Sequence, residues 1–461
     1  MTNRHERIQH YLDHMCVQVK AREVHNDLRD ELGNHMEEMM LDKEQEGYTE
    51  EEAIAYAIEQ MGDPVVVGKS MHRLHRHRMH WGLLFGIIIL ATISLILMWI
   101  FTTNTTQASY QYLYSYHVKN TVVGLMLMSF FIFFDYRKWK KAAWWIYILF
   151  NALLWINPML SSAYNGINRY LSLPFGFVLD VTTVSMWILP LAIGAIMLDK
   201  LRTSCSIQSI LSYIAMVALP AVLLFQISDW VRMLLFGIVS VILFGWITRK
   251  WLYMIIAAIT TGSLLLILLL FMDEYRRLDR FSVVFNLQDD PNGNGFIYNS
   301  IMDIVRTAGW WGNGLDTRFD LIKSNYFDIP GVMLIDVFGW SAGILLLIGI
   351  FWFVSSMVKI LPRIRDDYGR MIILSVTTIL SLQMIYSLVV ITGKVPIISI
   401  AFPFIGYGTH LIFEYAMIGL LLGVYRRKDA ISKKNEKNTA EDGRRPTDQF
   451  IGIQNHYRIM K

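Results

Sequence analysis

The chain has 461 residues, of which 54% are hydrophobic and only 17% charged. An ordinary soluble protein carries about 25% charged residues, so the composition excludes a soluble globular enzyme and calls for a membrane. A net charge of +4 gives no basis for a nucleic-acid partner, and its distribution along the chain is more informative than its size.

Residues 1–78 hold many of the charges and lack the apolar core of a cleavable signal, so the first membrane span serves for targeting. They read as a small cytoplasmic helical module. Leu12, Met15 and Val19 recur at helical spacing over His5–Val19, and Leu28, Leu32, Met36, Met39 and Met40 do so over Arg22–Glu46. Gly47 stops the second helix, and Thr49 with Glu52 forms a capping box that opens a third, running to Gln60. Gly62 ends it. Asp63-Pro64 opens a fourth, with proline in the first turn where its missing N–H is harmless. The run from Glu31 to Pro64 resembles the HAAS, or permease-prefix, module found before bacterial membrane domains, which implies a control element. His72, His75, His77 and His80 follow, interleaved with Arg73, Arg76 and Arg78. Their spacing matches no strong metal motif, which favours a basic collar on anionic lipid headgroups.

Trp81–Phe101, Leu252–Met272, Val337–Val358 and Met371–Thr392 each run without a charge. A helix of about 20 residues crosses the roughly 30 Å of a bilayer core. The whole of 79–428 divides into about ten such spans: 81–101, 119–135, 142–157, 177–198, 209–227, 231–248, 251–272, 332–358, 370–392 and 400–425. The fifth and sixth meet in a tight turn at Ser228–Asp229. The expected fold is therefore an all-α, polytopic membrane protein. The basic groups Arg137–Lys141, Asp199–Arg202, Arg249–Lys250, Lys359–Arg370 and Arg426–Lys428 fall on one side, which the positive-inside rule makes cytoplasmic. An even number of crossings leaves both ends there. Cys16 and Cys205 then share a reducing compartment and have no disulfide role. The tail, 429–461, is rich in Lys, Asn, Asp and Arg and reads as disordered.

The long extracytoplasmic loop 273–331 is the chain's most distinctive segment, and loops of that length are usually functional. Asp290, Pro291, Gly293 and Gly295 form a turn-rich run, in which Asp bonds its own backbone, Pro presets φ and glycine allows positive φ. Gly309-Trp310-Trp311-Gly312-Asn313-Gly314 sets indoles among glycines near a membrane surface. Two readings stand: interfacial anchoring, or a platform for a sugar or a lipid headgroup.

Arg280, Asn286, Asp290, Pro291, Gly293, Gly295, Gly309, Gly312 and Gly314 together resemble the loop of the SEDS family (shape, elongation, division and sporulation), which includes RodA, FtsW and SpoVE. That family's pattern there is R…N…DPxGxGY, a helix, then GGxxGKG; Phe296 stands for the tyrosine and Asn313 for the lysine. Asp135-Tyr136-Arg137, Asn165–Leu171 with Arg169, Gln383, Thr392-Gly393 and Pro403–Gly408 match further family blocks in order. The family has ten spans.

The resemblance implies a peptidoglycan glycosyltransferase that polymerises lipid II, an undecaprenyl-pyrophosphate-linked precursor, during cell-wall synthesis. It implies a class B penicillin-binding protein as partner and a divalent cation, Mg or Mn, as an optional cofactor. The family's essential carboxylate belongs to an H-T-D-F motif shortly before an E-E-L-G start of the next span. Tyr326-Phe327-Asp328-Ile329 and Asp336-Val337-Phe338-Gly339 keep that spacing, so Asp328 takes the catalytic position. A carboxylate suits the reaction, because an acceptor hydroxyl must lose a proton as it attacks the anomeric carbon. Arg169 and Arg280 would stabilise the departing pyrophosphate, with Trp310, Trp311 and Asn313 on the substrate side.

Within the last span, Glu414 and His410 are intramembrane polar groups, functional or paired by default, as is Gln383 in the ninth. The Q-P-S-E-x-x-K element of the family is not recognisable near Phe177–Thr183. The alternative reading is a non-catalytic relative acting as lipid-linked-precursor translocase, scaffold or sensor.

Overall fold

The computed structural model describes residues 2–104, 108–161, 170–173, 177–227, 229–250, 252–256, 258–259, 262–263, 295–314, 329–395, 397, 400, 402–406 and 408–428. The chain separates into two compact units, Met79–Arg426 and Met1–Arg78, the latter grouped with Arg427–Lys461.

In the first unit four helices form where the periodicity expects them: α1 (Thr2–Val17), α2 (His25–Gln45), α3 (Glu50–Met61) and α4 (Pro64–Leu74). A single 3-10 turn, Arg22–Val24, precedes α2. Leu12, Met15, Val19, Leu28, Leu32, Met36 and Met40 are all buried in one core. Gly47 and Gly62 end their helices at φ of 95° and 78°, a region costly for any residue with a Cβ. The Thr49 hydroxyl accepts from the Glu52 N–H while the Glu52 carboxylate takes the Thr49 N–H at 2.9 Å. A cap of this kind contributes about 1 kcal/mol. The Tyr11 hydroxyl donates to the Gly62 carbonyl at 3.0 Å, tying α1 to the α3–α4 turn. Burial, with the Asp63 charge beside it, pushes that phenol up to about 12.

The second unit is a helical bundle. Its helices are α5 (Trp81–Asn104), α6 (Ala108–Phe133), α7 (Arg137–Leu160), α8 (Val181–Thr203), α9 (Ile207–Gln226), α10 (Trp230–Thr248), α11 (Phe296–Thr307), α12 (Pro330–Ile360), α13 (Asp367–Val390) and α14 (His410–Arg426). Among the described residues eight helices are long and apolar enough to cross a membrane. Helix α8 is the most enclosed of these, buried along nearly its whole length. Asp180, Ser206, Asp229 and Asp366 cap α8, α9, α10 and α13 with their side chains. Each occupies the position where an orphan N–H needs an acceptor. Asp229 confirms the tight turn between α9 and α10.

Three expectations need correction. The segment Phe177–Asp180, assigned to the fourth span, is a strand, β2, paired antiparallel with β1 (Tyr170–Leu173). Helix α8 begins only after its cap, Asp180. The third span starts at Arg137, not at 142, so the basic group Arg137–Lys141 forms the first turns of α7, since long cationic side chains can reach water from a helix end. The last span starts at His410, not at 400. Before it, Phe402–Gly406 is irregular but buried: Phe402, Phe404 and Ile405 are each at most 2% exposed. The seventh span, 251–272, and the tail from 429 lie largely or wholly outside the described residues.

Irregular backbone enclosed in a membrane bundle must find its hydrogen bonds inside the protein. Two side chains supply them. Glu414 Oε2 accepts the Phe404 N–H at 2.8 Å, and Asn120 Nδ2 donates to the Gly408 carbonyl at 3.2 Å. Phe404 itself sits at φ 64°, its ring packed between Phe353 and Tyr415. Glu414 thus serves a backbone group of its own connecting segment, not a neighbouring helix. Glu414→Gln keeps an acceptor for Phe404 and should melt within about 1 kcal/mol of wild type. Glu414→Leu leaves the N–H orphaned and should cost about 1–3 kcal/mol. Equal melting of the two in detergent would remove this role.

Candidate functional site

The loop after α11 and the middle of α12 form one unit. Helix α12 is not continuous: Gly339 stands at φ 79°, ψ −178°, and breaks the helix there. A break of this kind strands carbonyls on one side and N–H groups on the other. The Gly309–Gly314 loop satisfies both sets. Asn313 N–H donates to Asp336 O at 2.8 Å and Gly314 N–H to Val337 O at 3.2 Å. In return Trp340 N–H donates to Gly309 O at 3.0 Å and Ser341 N–H to Trp310 O at 3.3 Å. Two side-chain bonds reinforce the clasp: Asn313 Nδ2 to Asp336 Oδ1 at 2.8 Å, and Trp340 Nε1 to Val305 O at 3.0 Å.

The glycines here answer a steric requirement. Gly312 has φ 80°, and a Cβ on it would lie 2.3 Å from Val337 O. The backbones approach too closely for any side chain to intervene. Trp310 and Trp311 point away from the clasp and are 67% and 85% exposed. An apolar groove of about 390 Å³ runs between α5 and α12; Ile93, Leu97, Leu334, Phe338 and Trp352 line it, so one end reaches the break.

Of the residues picked from sequence, Gly309, Trp310, Trp311, Gly312, Asn313 and Gly314 come together at the α12 break, joined to the Asp336–Gly339 tetrad. Asn313 is spent on Asp336, so it is a holding residue in this geometry. Gly295 caps α11. Gln383 is buried on α13, its main-chain carbonyl accepting the Ser387 hydroxyl. His410 and Glu414 lie at the start of α14, with Glu414 fully buried. Asp328, Arg169, Arg280, Asp290, Pro291 and Gly293 lie outside the described residues.

One cluster escaped the sequence reading. Asp180 and Asp229, the caps of α8 and α10, are 3% and 2% exposed and converge on Arg232. Arg232 gives Nη2 to Asp180 Oδ2 at 3.4 Å, Nη1 to Asp229 Oδ2 at 3.0 Å and Nε to Thr183 Oγ1 at 2.7 Å. The Thr182 hydroxyl bridges both acids, at 2.9 and 2.8 Å. The β1–β2 hairpin sets Asp180 opposite Tyr170, directly after Arg169. Removing one member of a buried ionic set costs about 3–5 kcal/mol, so this cluster locks α8 to α10. Its signal was a lone arginine three residues after a capping acid, inside an otherwise apolar span.

Most acids of the long loop that could hold a divalent cation, among them Asp290 and Asp328, lie outside the described residues. Among the described residues no three His, Cys, Asp or Glu side chains gather as a ligand set, and Asp180 and Asp229 are already neutralised by Arg232. No chemical step is assigned to a metal.

The chain is 26% identical over 322 residues to a probable peptidoglycan glycosyltransferase FtsW of Geobacter sulfurreducens, covering 66% of this chain and 83% of that one. It is 26% identical over 154 residues to the stage V sporulation protein E of Bacillus subtilis, 32% of this chain and 42% of that one. Its fold is similar to a chain of a peptidoglycan synthase complex that coordinates polymerization and crosslinking, with TM-score 0.63 at 18% identity over 76% of this chain and 98% of that one. It is also similar to the rod shape determining protein RodA of Thermus thermophilus, TM-score 0.55 at 14% identity over 76% and 97% of the two chains. The family model described as cell cycle protein, FtsW/RodA/SpoVE, matches residues 77–430. The chain is thus a multi-pass membrane protein that belongs to the FtsW/RodA/SpoVE family.

Proposed function

We propose that the chain is a peptidoglycan glycosyltransferase that polymerises lipid II, with Asp328 as its general base. The clasp between Gly309–Gly314 and the α12 break carries this reading. It anchors Gly314 to Val337, and α12 itself starts at Pro330 after its cap Ile329, so the two described residues that bracket Asp328 in the sequence, Gly314 and Ile329, are both held to one helix. A site built on a rigid element keeps reacting groups in register.

The chemistry needs one proton acceptor and one anion partner. Asp328 takes the proton of the acceptor sugar hydroxyl as its oxygen attacks the anomeric carbon of the donor. The bond to pyrophosphate breaks on the opposite face, which inverts the α-linked donor to a β-linked product. Pyrophosphate leaves as an already stabilised anion, so cationic stabilisation by Arg169 and Arg280 matters more than a general acid. The exposed indoles of Trp310 and Trp311 offer faces for sugar rings, and the α5–α12 groove suits a polyprenyl tail. The named activity of the FtsW relatives supports this reading. The fold shared with a synthase complex supports a class B penicillin-binding protein as the crosslinking partner. Both termini would face the cytoplasm, as the Lys and Arg distribution requires.

Purified protein reconstituted in liposomes with lipid II should yield glycan polymer. Transfer of lipid II across the liposome membrane without polymer would overturn the assignment in favour of translocation.

A further inference from the structure

Helices α8, α10 and α13 pack against one another, and their ends at Thr203, Thr248 and Asp367 fall on the face that the basic residues assign to the cytoplasm. Three arginines meet there, one from each element: Arg202, Arg249 and Arg370. The Arg249 and Arg370 charges lie close enough to Arg202 to repel it, with Asp199 and Asp366 opposing them.

Most of the acids are already engaged. Lys140 takes Asp199 at 2.9 Å. Asp366 caps α13 through the Gly369 N–H and also accepts the Tyr136 hydroxyl at 3.1 Å. Arg202 and Arg370 share Asp367. That accounting leaves positive charge over. Arg202 also stands over the Trp246 ring, 4.9 Å from its centroid, and its buried Nε and Nη2 have no hydrogen-bond acceptor. An aromatic face attracts a cation but does not replace an acceptor.

Arg249 adds a second, independent observation. It closes α10 in the left-handed region, at φ 54°, ψ 21°. Glycine is the usual residue there, because a Cβ crowds the following carbonyl in this conformation. A strained, exposed arginine at a membrane-facing helix end carries a cost for folding that a bound anion would offset.

We propose that Arg202, Arg249 and Arg370, backed by Trp246, bind the phosphate of an anionic phospholipid headgroup at the cytoplasmic surface. Guanidinium forks match phosphate oxygens in pairs, and an indole at the interface suits the glycerol region below. The site is separate from the α12 break and does not depend on the polymerase reading.

The test uses the full-length protein in detergent, examined by native mass spectrometry with phosphatidylglycerol, with phosphatidylcholine, and with excess inorganic phosphate as competitor. Wild type should retain phosphatidylglycerol in preference to phosphatidylcholine. Arg202→Gln and Arg249→Gly should each lower that retention about fivefold, the factor corresponding to roughly 1 kcal/mol per basic residue at an anionic surface. Arg249→Gly separates binding from folding, because glycine takes the left-handed conformation without strain. Its melting temperature should hold or rise while lipid retention falls. Retention of phosphatidylglycerol by Arg249→Gly at the wild-type level would overturn the site. Full displacement of the lipid by inorganic phosphate would show a soluble phosphate to be the ligand and overturn the lipid assignment.

Discussion

Asp328→Asn should abolish polymer formation from lipid II while the protein is recovered folded at the wild-type yield. A positioned general base contributes about 10²–10⁴-fold to the rate, and asparagine cannot accept the proton. The loss should fall on turnover, with the apparent affinity for lipid II little changed, because an interaction made only in the transition state has been removed. Polymer formation by Asp328→Asn at a rate near wild type would refute the assigned base, though not the family. Asp320, the nearest upstream acid in the same loop, makes a suitable comparison: Asp320→Asn should keep most of the activity.

Gly339→Ala should be the most damaging single methyl in the membrane unit. At φ 79°, ψ −178° the residue occupies a region open essentially to glycine alone, and forcing a side chain there costs about 1–3 kcal/mol. The new Cβ would also lie 2.3 Å from Trp310 O, a backbone atom with no rotamer to change. The clasp must then open, and its four backbone hydrogen bonds are worth about 1 kcal/mol each. A total of about 4 kcal/mol or more is a large share of a marginal stability of about 5–15 kcal/mol. Gly349, farther along the same helix, supplies the contrast, since a Cβ there meets nothing within 4 Å. Gly349→Ala should be neutral or stabilise by up to about 1 kcal/mol through helix propensity. Thermal melting in detergent distinguishes them, and equal melting of the two variants would show that the break is dispensable.

These two positions were not equally legible in the sequence. Asp328 emerged from the order and spacing of family-like motifs. Gly339 did not emerge as a break, because Val337–Val358 has no charge and hydropathy reads it as one continuous span. Glycine inside an apolar run is compatible with a straight helix. Only the arrival of Gly309–Gly314, folded back from another part of the chain, makes the broken form satisfied. The same holds for Asn313, which looked like a lost lysine and is instead the partner of Asp336.

What the sequence by itself determined is local or set by solvent. Apolar periodicity named the core of the N-terminal helices, glycine and capping residues marked their ends, and uncharged runs marked most of the membrane helices. Each of those signals acts within a few residues, or between a side chain and its surrounding water or lipid. Tertiary structure alone decided the α12 clasp, the enclosed Phe402–Gly406 segment and the Asp180–Arg232–Asp229 lock. In each, polar groups separated along the chain satisfy one another where no water can. Burial makes an unpaired polar group costly, so the partner is chosen by proximity in space, which local sequence pattern does not encode.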